Sequence, residues 1–225
     1  MITQAADLRV PAIAGTVAAA TDRGLFSTGG GGAVGGAGGG AIDLRAGTDL
    51  VTGLVSTSGP LAITSTGGAV TVAQGIDATV GAVTIAAATD VSLDSPVLNP
   101  RSGAALAVSA GRDILVRAPV DGRNGAAAGG PVSLEAGRHV VLADSVTTNE
   151  GAVAITATTG TVAQAAGVQL RTGAAPIRVA AGSDLVGGSY VTTGALELRS
   201  TGGSIGLAES IYDSVGATTI AAALD

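Results

Sequence analysis

Asp49, Asp90, Asp113, His139 and Asp184 recur at one position of the chain, each closing a short turn directly ahead of an aliphatic residue; Asp225 repeats the pattern near the end. Carboxylates stacked at one site of a repeat can hold a hard cation through oxygen, and an imidazole among them can serve as a base. The spacing argues for a plainer role. Only Asp90 and Asp113 fall in adjacent repeats, and Gly68, Gly160 and Gly203 interrupt the series. An Asp at the end of a turn also accepts a hydrogen bond from backbone two residues on, so the five are expected to form a structural turn register. His139 is the only His and the chain has no Cys, which is poor material for a metal centre. It is expected as a solvent-facing turn residue, with no catalytic or metal-ligating role. Arg112 and Arg138, beside Asp113 and His139, are expected to add an exposed charged ladder.

Other motifs fail on context. Gly30-x-Gly32-x-x-Gly35 has the spacing of a dinucleotide fingerprint, but that motif needs a strand before it and a helix after it; the Gly-rich run Gly29 to Gly40 generates the match by composition. The chain has no Lys, its eleven basic residues all being Arg, so a phosphate-binding Gly-Lys-Ser/Thr loop is excluded. Gly38-Gly-Gly-Ala-Ile-Asp43 approaches the calcium-binding nonapeptide of β-rolls but carries Ala41 where Gly is required, and it stands alone. No cofactor is expected.

The elements that would carry these residues are repeats. A phrase of two aliphatics one residue apart, then Ala or Ser, then a turn, starts at Ile42, Leu61, Val83, Leu106, Val132, Val153, Ile177, Leu196 and Thr218. The mean spacing is about 22 residues, which marks a repeat architecture. Four places after each start stands a small residue: Ala46, Ser65, Ala87, Ala110, Ala136, Ala157, Ala181, Ser200 and Ala222. Apolar residues at alternate positions read as a half-buried strand of about five residues. After a turn ending in Asp or His the second strand runs Val91-Ser-Leu93, Ile114-Leu-Val116 or Val140-Val-Leu142; after Thr-Gly-Gly it starts one residue later, as Val70-Thr-Val72 or Ile205-Gly-Leu207. That insertion restores the inward register, which a period of two demands. The remainder, such as Ala118-Pro-Val120-Asp-Gly, supplies a shorter third strand.

Three short strands and three turns in about 22 residues make one rung of an all-β solenoid, a right-handed parallel β-helix in which each strand pairs with its equivalent above. Rungs of 18 residues with an aliphatic every six, the left-handed alternative, do not occur. Eight and a half rungs would stand about 40 Å tall. The aliphatics are expected to stack inward, with the Ala column at a corner where the cross-section narrows. Residues 1–40 are expected to hold an irregular first rung around Gly15 to Asp22 and then a flexible Gly-rich insertion loop; residues 41–225 form the repeat region, truncated within its last rung.

Composition agrees. One Phe, two Tyr, no Trp and one Met cannot build a thick core, since aromatics supply the largest buried area per residue. The 37 Gly argue against long helices. A net charge of −6 repels a phosphate backbone, so nucleic acid is not an expected partner. MITQAADLRV has neither the basic start nor the apolar stretch of a signal peptide, and no run approaches a membrane span. With the last repeat stopping at its turn, the chain is expected to be a piece of a longer protein.

β-Helices also serve as polysaccharide-cleaving enzymes, which cluster acids and basic residues on one outer sheet. The outward column here reads Arg45, Thr64, Ala86, Ser109, Glu135, Thr156, Ala180 and Arg199, dispersed, mostly small and without aromatic platforms. Neither an enzyme nor an ice-binding Thr ladder is expected.

The segments Ala110-Gly-Arg-Asp-Ile-Leu-Val116, Gly67-Gly-Ala-Val-Thr-Val-Ala-Gln74 and Gly160-Thr-Val-Ala-Gln164 resemble the repeats of filamentous haemagglutinin-like exoproteins, the adhesins of two-partner secretion, and those of autotransporter passengers. The resemblance covers roughly residues 41 to 225. It implies a structural or adhesive shaft exported through an outer-membrane transporter and displayed on, or released from, the surface of a Gram-negative bacterium. A host or neighbouring-cell receptor or glycan would be its partner. The secretion domain's Asn-Pro-Asn-Gly is met here only by Asn99-Pro100-Arg101-Ser102, so the piece resembles shaft. The competing readings are a β-helical carbohydrate-active enzyme fragment and a self-associating matrix protein whose exposed rung ends pair end to end.

Overall fold

The computed structural model describes residues 41–78, 81–98, 103–123, 129–213 and 215–223, together with the backbone of five strands nearer the start, Ile2–Gln4, Val10–Pro11, Val17–Thr21, Leu25–Ser27 and Ala33–Gly36. Every described element is a strand. They form three ten-stranded sheets in which each strand pairs in parallel with the one three elements later. The chain therefore winds as a parallel β-helix, with one strand per sheet per rung.

The repeat phrase is the first sheet. Ile42–Ala46, Leu61–Ser65, Val83–Ala87, Leu106–Ala110 and Val132–Ala136 stack in register, Leu44 on Ile63 on Ile85 and onward. Burial alternates along each, as the period-two pattern requires: Ile42, Leu44 and Ala46 are buried while Asp43 and Arg45 face out. Val70–Val72, Val91–Leu93, Asp113–Val116 and His139–Leu142 belong to the second sheet. Val70, Val91, Ile114 and Val140 share one inward column although the preceding turn has four residues before Val70 and three before the others. The extra turn residue is absorbed as loop, because a shift in the strand would turn every aliphatic outward. The third sheet uses shorter strands, Val120–Asp121 and Val146–Thr147 among them.

Among the described residues the interior is one continuous cluster from Ile42 to Leu198, aliphatic apart from Tyr190. Each buried Val, Leu or Ile contributes about 1.5–3 kcal/mol, and a thin core of many such side chains replaces the missing aromatics. The small-residue column closes the corner between first and second sheets: Ala46, Ala87, Ala110, Ala136, Ala157 and Ala181 are all buried. Ser65 and Ser200 take the same place ahead of four-residue turns. There Ser65 Oγ donates to the Thr48 carbonyl (2.5 Å) and accepts from the Gly68 N–H (3.0 Å), and Ser200 does the same with Ser183 and Gly203. A hydroxyl is affordable in this corner because the longer turn brings it an amide. Leu in place of Ala136, which is fully buried between Ala110 and Ala157, is expected to lower stability by about 1–3 kcal/mol, measured as a shift of the denaturant midpoint.

One expectation is corrected. Within the Gly-rich run, Ala33–Gly36 is a strand of the third sheet, pairing with Val10–Pro11 and with Leu54–Thr57. Four residues that composition assigned to an insertion loop thus carry a rung. Gly is tolerated there because pairing uses only backbone. The rest of that run, the Asn99 to Ser102 segment and Asp225 lie outside the described residues.

Candidate functional site

The turn between first and second sheets gathers the residues with chemical potential. In a parallel solenoid most backbone amides pair with the rung above or below, but those of Ala69, Asp113, His139, Thr161 and Ser204, at or just ahead of the start of second strands, are taken by side chains. The turn register supplies the acceptor. Asp49 Oδ1 accepts from Ala69 N–H (2.9 Å), Asp90 from Asp113 N–H (3.2 Å), Asp113 from His139 N–H (3.1 Å) and Asp184 from Ser204 N–H (2.9 Å). His139 accepts in the same way, its Nδ1 taking the Thr161 N–H at 3.0 Å. All five register residues therefore reach into the next rung, whereas the sequence suggested a local bond two residues on. The reason is geometric: pairing an otherwise orphaned amide outweighs a turn bond that other acceptors can replace.

Between Asp90 and Asp113 the register becomes a charged ladder. Arg112 clasps Asp90 through two nitrogens, and Arg138 clasps Asp113 through Nε (2.9 Å) and Nη2 (2.5 Å). Arg112 Nε also lies 3.7 Å from Asp113 Oδ2. The Arg138 bond, outweighing partial burial, holds the Asp113 carboxyl below the ordinary carboxylate range, and the Ser204 amide does the same for Asp184. A carboxyl lowered on folding stabilises above its unfolded pKa, and that contribution fades as pH falls towards the folded value. Asn in place of Asp113 keeps an acceptor for the His139 amide and loses the ion pair. The variant is expected to be less stable than the parent at pH 7, the gap closing as acid neutralises the parent's own carboxyl; denaturation at pH 7 and pH 3 measures it.

His139 departs from its expected place in open solvent. It is half-buried, packed over the turn above so closely that a Cβ on Gly160 would lie 2.6 Å from Nδ1. Since Nδ1 accepts, the proton of the neutral ring sits on Nε2. No group of three His, Asp or Glu among the described residues is placed to hold a metal ion.

The outer faces offer little relief. The column from Arg45 to Arg199 faces out as expected, and Arg178 approaches Glu197 across neighbouring rungs at 3.4 Å. On the second sheet a shallow open depression is lined by Thr71, Ser92 and Leu115 between Asp90, Asp113 and Arg117. Its carboxylates are already engaged by arginine, and Arg117 in turn bonds Asp94 (2.8 Å) and Ser92 (2.9 Å). Beyond it the outward positions Leu115, Val141, Ala163 and Val186 stack in register, with Val141 39% and Val186 46% exposed. This apolar stripe was not read from sequence, although its signal was present: an aliphatic in the middle of Ile-Leu-Val and Val-Val-Leu, where alternation calls for a polar residue.

Two further groups escaped the sequence reading. Thr57, Thr148, Thr172 and Thr192 stand at the end of a third-sheet strand or one residue past it, are buried, and lie at the turn back to the first sheet. Thr148 Oγ1 donates to the Gly151 carbonyl (2.5 Å), Thr172 to the Ala175 carbonyl (2.6 Å), and Thr192 accepts from the Gly194 N–H (2.8 Å). Near the upper end Tyr190 replaces an aliphatic between Leu170 and Ile211. Its ring fills the room left by Gly187, and burial pushes the hydroxyl pKa up. Below it Gln164 donates to the Val168 carbonyl at 2.6 Å.

Among the described residues no helix is long and apolar enough to cross a membrane. No protein-family model, curated protein or solved structure matches the chain.

Proposed function

We propose that this chain is a structural and adhesive shaft segment of a large exported bacterial surface protein, and that it has no catalytic role. The observation that carries the reading is the use to which the polar residues are put. Each register Asp and His139 bonds the rung above, the Arg residues beside them bond those acids, and the Thr residues close turns. Chemistry that could act on a substrate is spent on stacking rungs, as suits a part whose job is length and rigidity. The likeness of its repeats to filamentous haemagglutinin-like exoproteins and autotransporter passengers supplies the export route, through an outer-membrane transporter, and the cell-surface address. A receptor or glycan on a host or neighbouring cell is then the partner.

Beads coated with the purified chain should be retained on layers of epithelial or bacterial cells more than beads coated with an unrelated protein of similar charge. Equal retention on every layer counts against adhesion. Incubation with neutral and acidic glycans should leave them intact; bond cleavage abolished by His139→Ala would establish the carbohydrate-active enzyme in its place.

The apolar stripe on the second sheet favours a second reading, a self-associating matrix repeat in which shafts meet side by side. Sizing across a wide concentration range decides this: a monomer throughout removes it, and an oligomer dispersed by Val141→Asp with Val186→Asp supports it.

A further inference from the structure

The turn register uses two kinds of acceptor for one task. At four positions a carboxylate holds the amide of the next rung, and at the fifth an imidazole does so. These acceptors differ in what acid does to them. Histidine is the side chain that ordinarily changes charge between pH 5 and 8, whereas carboxylates keep theirs through that range. A protonated imidazole carries N–H on both nitrogens and has no lone pair to offer. Once Nδ1 is protonated, the Thr161 N–H would face a second donor, and the bond between those rungs would be replaced by a repulsive contact.

From this geometry we infer that His139 is an acid-sensitive joint, which holds the Thr161 amide between the fifth and sixth rungs of the repeat region when neutral and frees that amide when protonated, while the flanking backbone bonds from Thr158, Thr159 and Val140 keep the rungs together. The inference rests on the Thr161–His139 bond and does not depend on the adhesive reading. The rung above offers the cation no carboxylate at Gly160 or Thr161, and Thr161 Oγ1 is paired with Ser183 Oγ at 3.1 Å. Asp184, one rung further, is turned to Ser204, whose amide and hydroxyl it accepts. In the rung below, Asp113 pairs in register with His139, and it is held by Arg138 with Arg112 close by. Glu135, four residues earlier, faces out on the first sheet. Asp113 draws the cation and the two guanidiniums oppose it, so protonation favours a ring turned down towards Asp113 and away from Thr161. Gly160 gives the ring room to pack in its neutral position and nothing to bond in its charged one.

The register carries its own reference amides. Ala69 and Ser204 occupy the place of Thr161 but are held by Asp49 and Asp184. Amide hydrogen exchange on the whole chain, with intrinsic rates divided out, should show Thr161 losing about five- to tenfold in protection between pH 7.5 and pH 5, the equivalent of one hydrogen bond. Ala69 and Ser204 should hold theirs. In His139→Asp, which restores the carboxylate, Thr161 should behave as they do. Protection at Thr161 that stays level with Ala69 and Ser204 in the parent overturns the inference, and so does an equal loss at all three. The parent comparison is decisive even if the variant folds poorly. Neither result bears on cell binding, so the joint and the adhesive function stand or fall separately.

Discussion

Alanine at Gly151 is expected to lower the unfolding free energy by about 3 kcal/mol, the upper end of the usual range for forcing extra carbon into a closed interior. A Cβ there would lie 2.0 Å from the Gly130 carbonyl oxygen, 2.3 Å from its carbon and 2.7 Å from Pro131 N, all backbone. Backbone cannot swing aside as a side-chain tip can. The rungs on either side must separate at this corner, and the bond from Thr148 Oγ1 to the Gly151 carbonyl is strained with them. Two other glycines make the test specific. Gly206, in the strand Ile205–Leu207, has nothing within 4 Å of where a Cβ would stand, so alanine there should be neutral or stabilising by about 0.5 kcal/mol through the unfolded chain. Gly167 is equally open but has φ of +78°, and alanine should cost about 1 kcal/mol from conformation alone. Denaturant midpoints for the three variants should fall in the order Gly206→Ala, Gly167→Ala, Gly151→Ala. Equal losses at Gly151 and Gly167 would show that opening the corner costs no more than the conformational strain at Gly167.

The same glycines show where the sequence was legible. Alternation of aliphatics fixes the inward face of a strand by local chemistry, so the phrase recurring from Ile42 to Thr218 could be placed on one sheet and its small fifth residue at a corner. The one-residue difference between the turns before Val70 and Val91 was readable too, because a slip there would invert a strand. What could not be read depends on contact between rungs. Gly151 looks like any turn glycine until Gly130 is known to pass 2.0 Å from its missing Cβ. Asp49 looks like a local turn former until the Ala69 amide is found without a carbonyl. Ala33–Gly36 has no aliphatic alternation in sequence, and its place in the sheet is visible only as backbone pairing with Leu54–Thr57. Thr148 and Thr192 carried a weak signal, a Thr shortly before a Gly ahead of the next phrase.

For function the consequence is asymmetric. Residues that alternate with the core were predictable as a surface, but their chemistry was not, because pairing across rungs decides it. The charged ladder expected around Arg112 and Arg138 is present, but its partners are set by register: Arg112 takes Asp90 and Arg138 takes Asp113, 22 and 25 residues away in the chain. Leu115, Val141 and Val186 are unremarkable singly and make a stripe only once stacked. Surface function in a solenoid is a property of columns, which exist only after the register is known.

The interior makes the second large prediction. Leu134 is fully buried at the centre of Val132–Ala136 and stacks between Val108 below and Ile155 above. Both neighbours are β-branched and stiff at χ1, which limits how far they can swing into a gap. Leu134→Ala is therefore expected to cost about 2–5 kcal/mol, with little relaxation of the cavity, while Leu134→Ile should cost less than about 1.5 kcal/mol. Because each rung touches only its neighbours, the loss should also be local. Amide exchange should quicken most at Val108 and Ile155 and least at Ile63 and Leu198, which are buried three rungs away on either side. If the denaturant slope falls together with the midpoint, the damaged rung has uncoupled the two halves of the rod. A loss shared evenly from Ile63 to Leu198 would instead mean that the solenoid unfolds as one unit, with coupling between rungs stronger than the cost of the cavity.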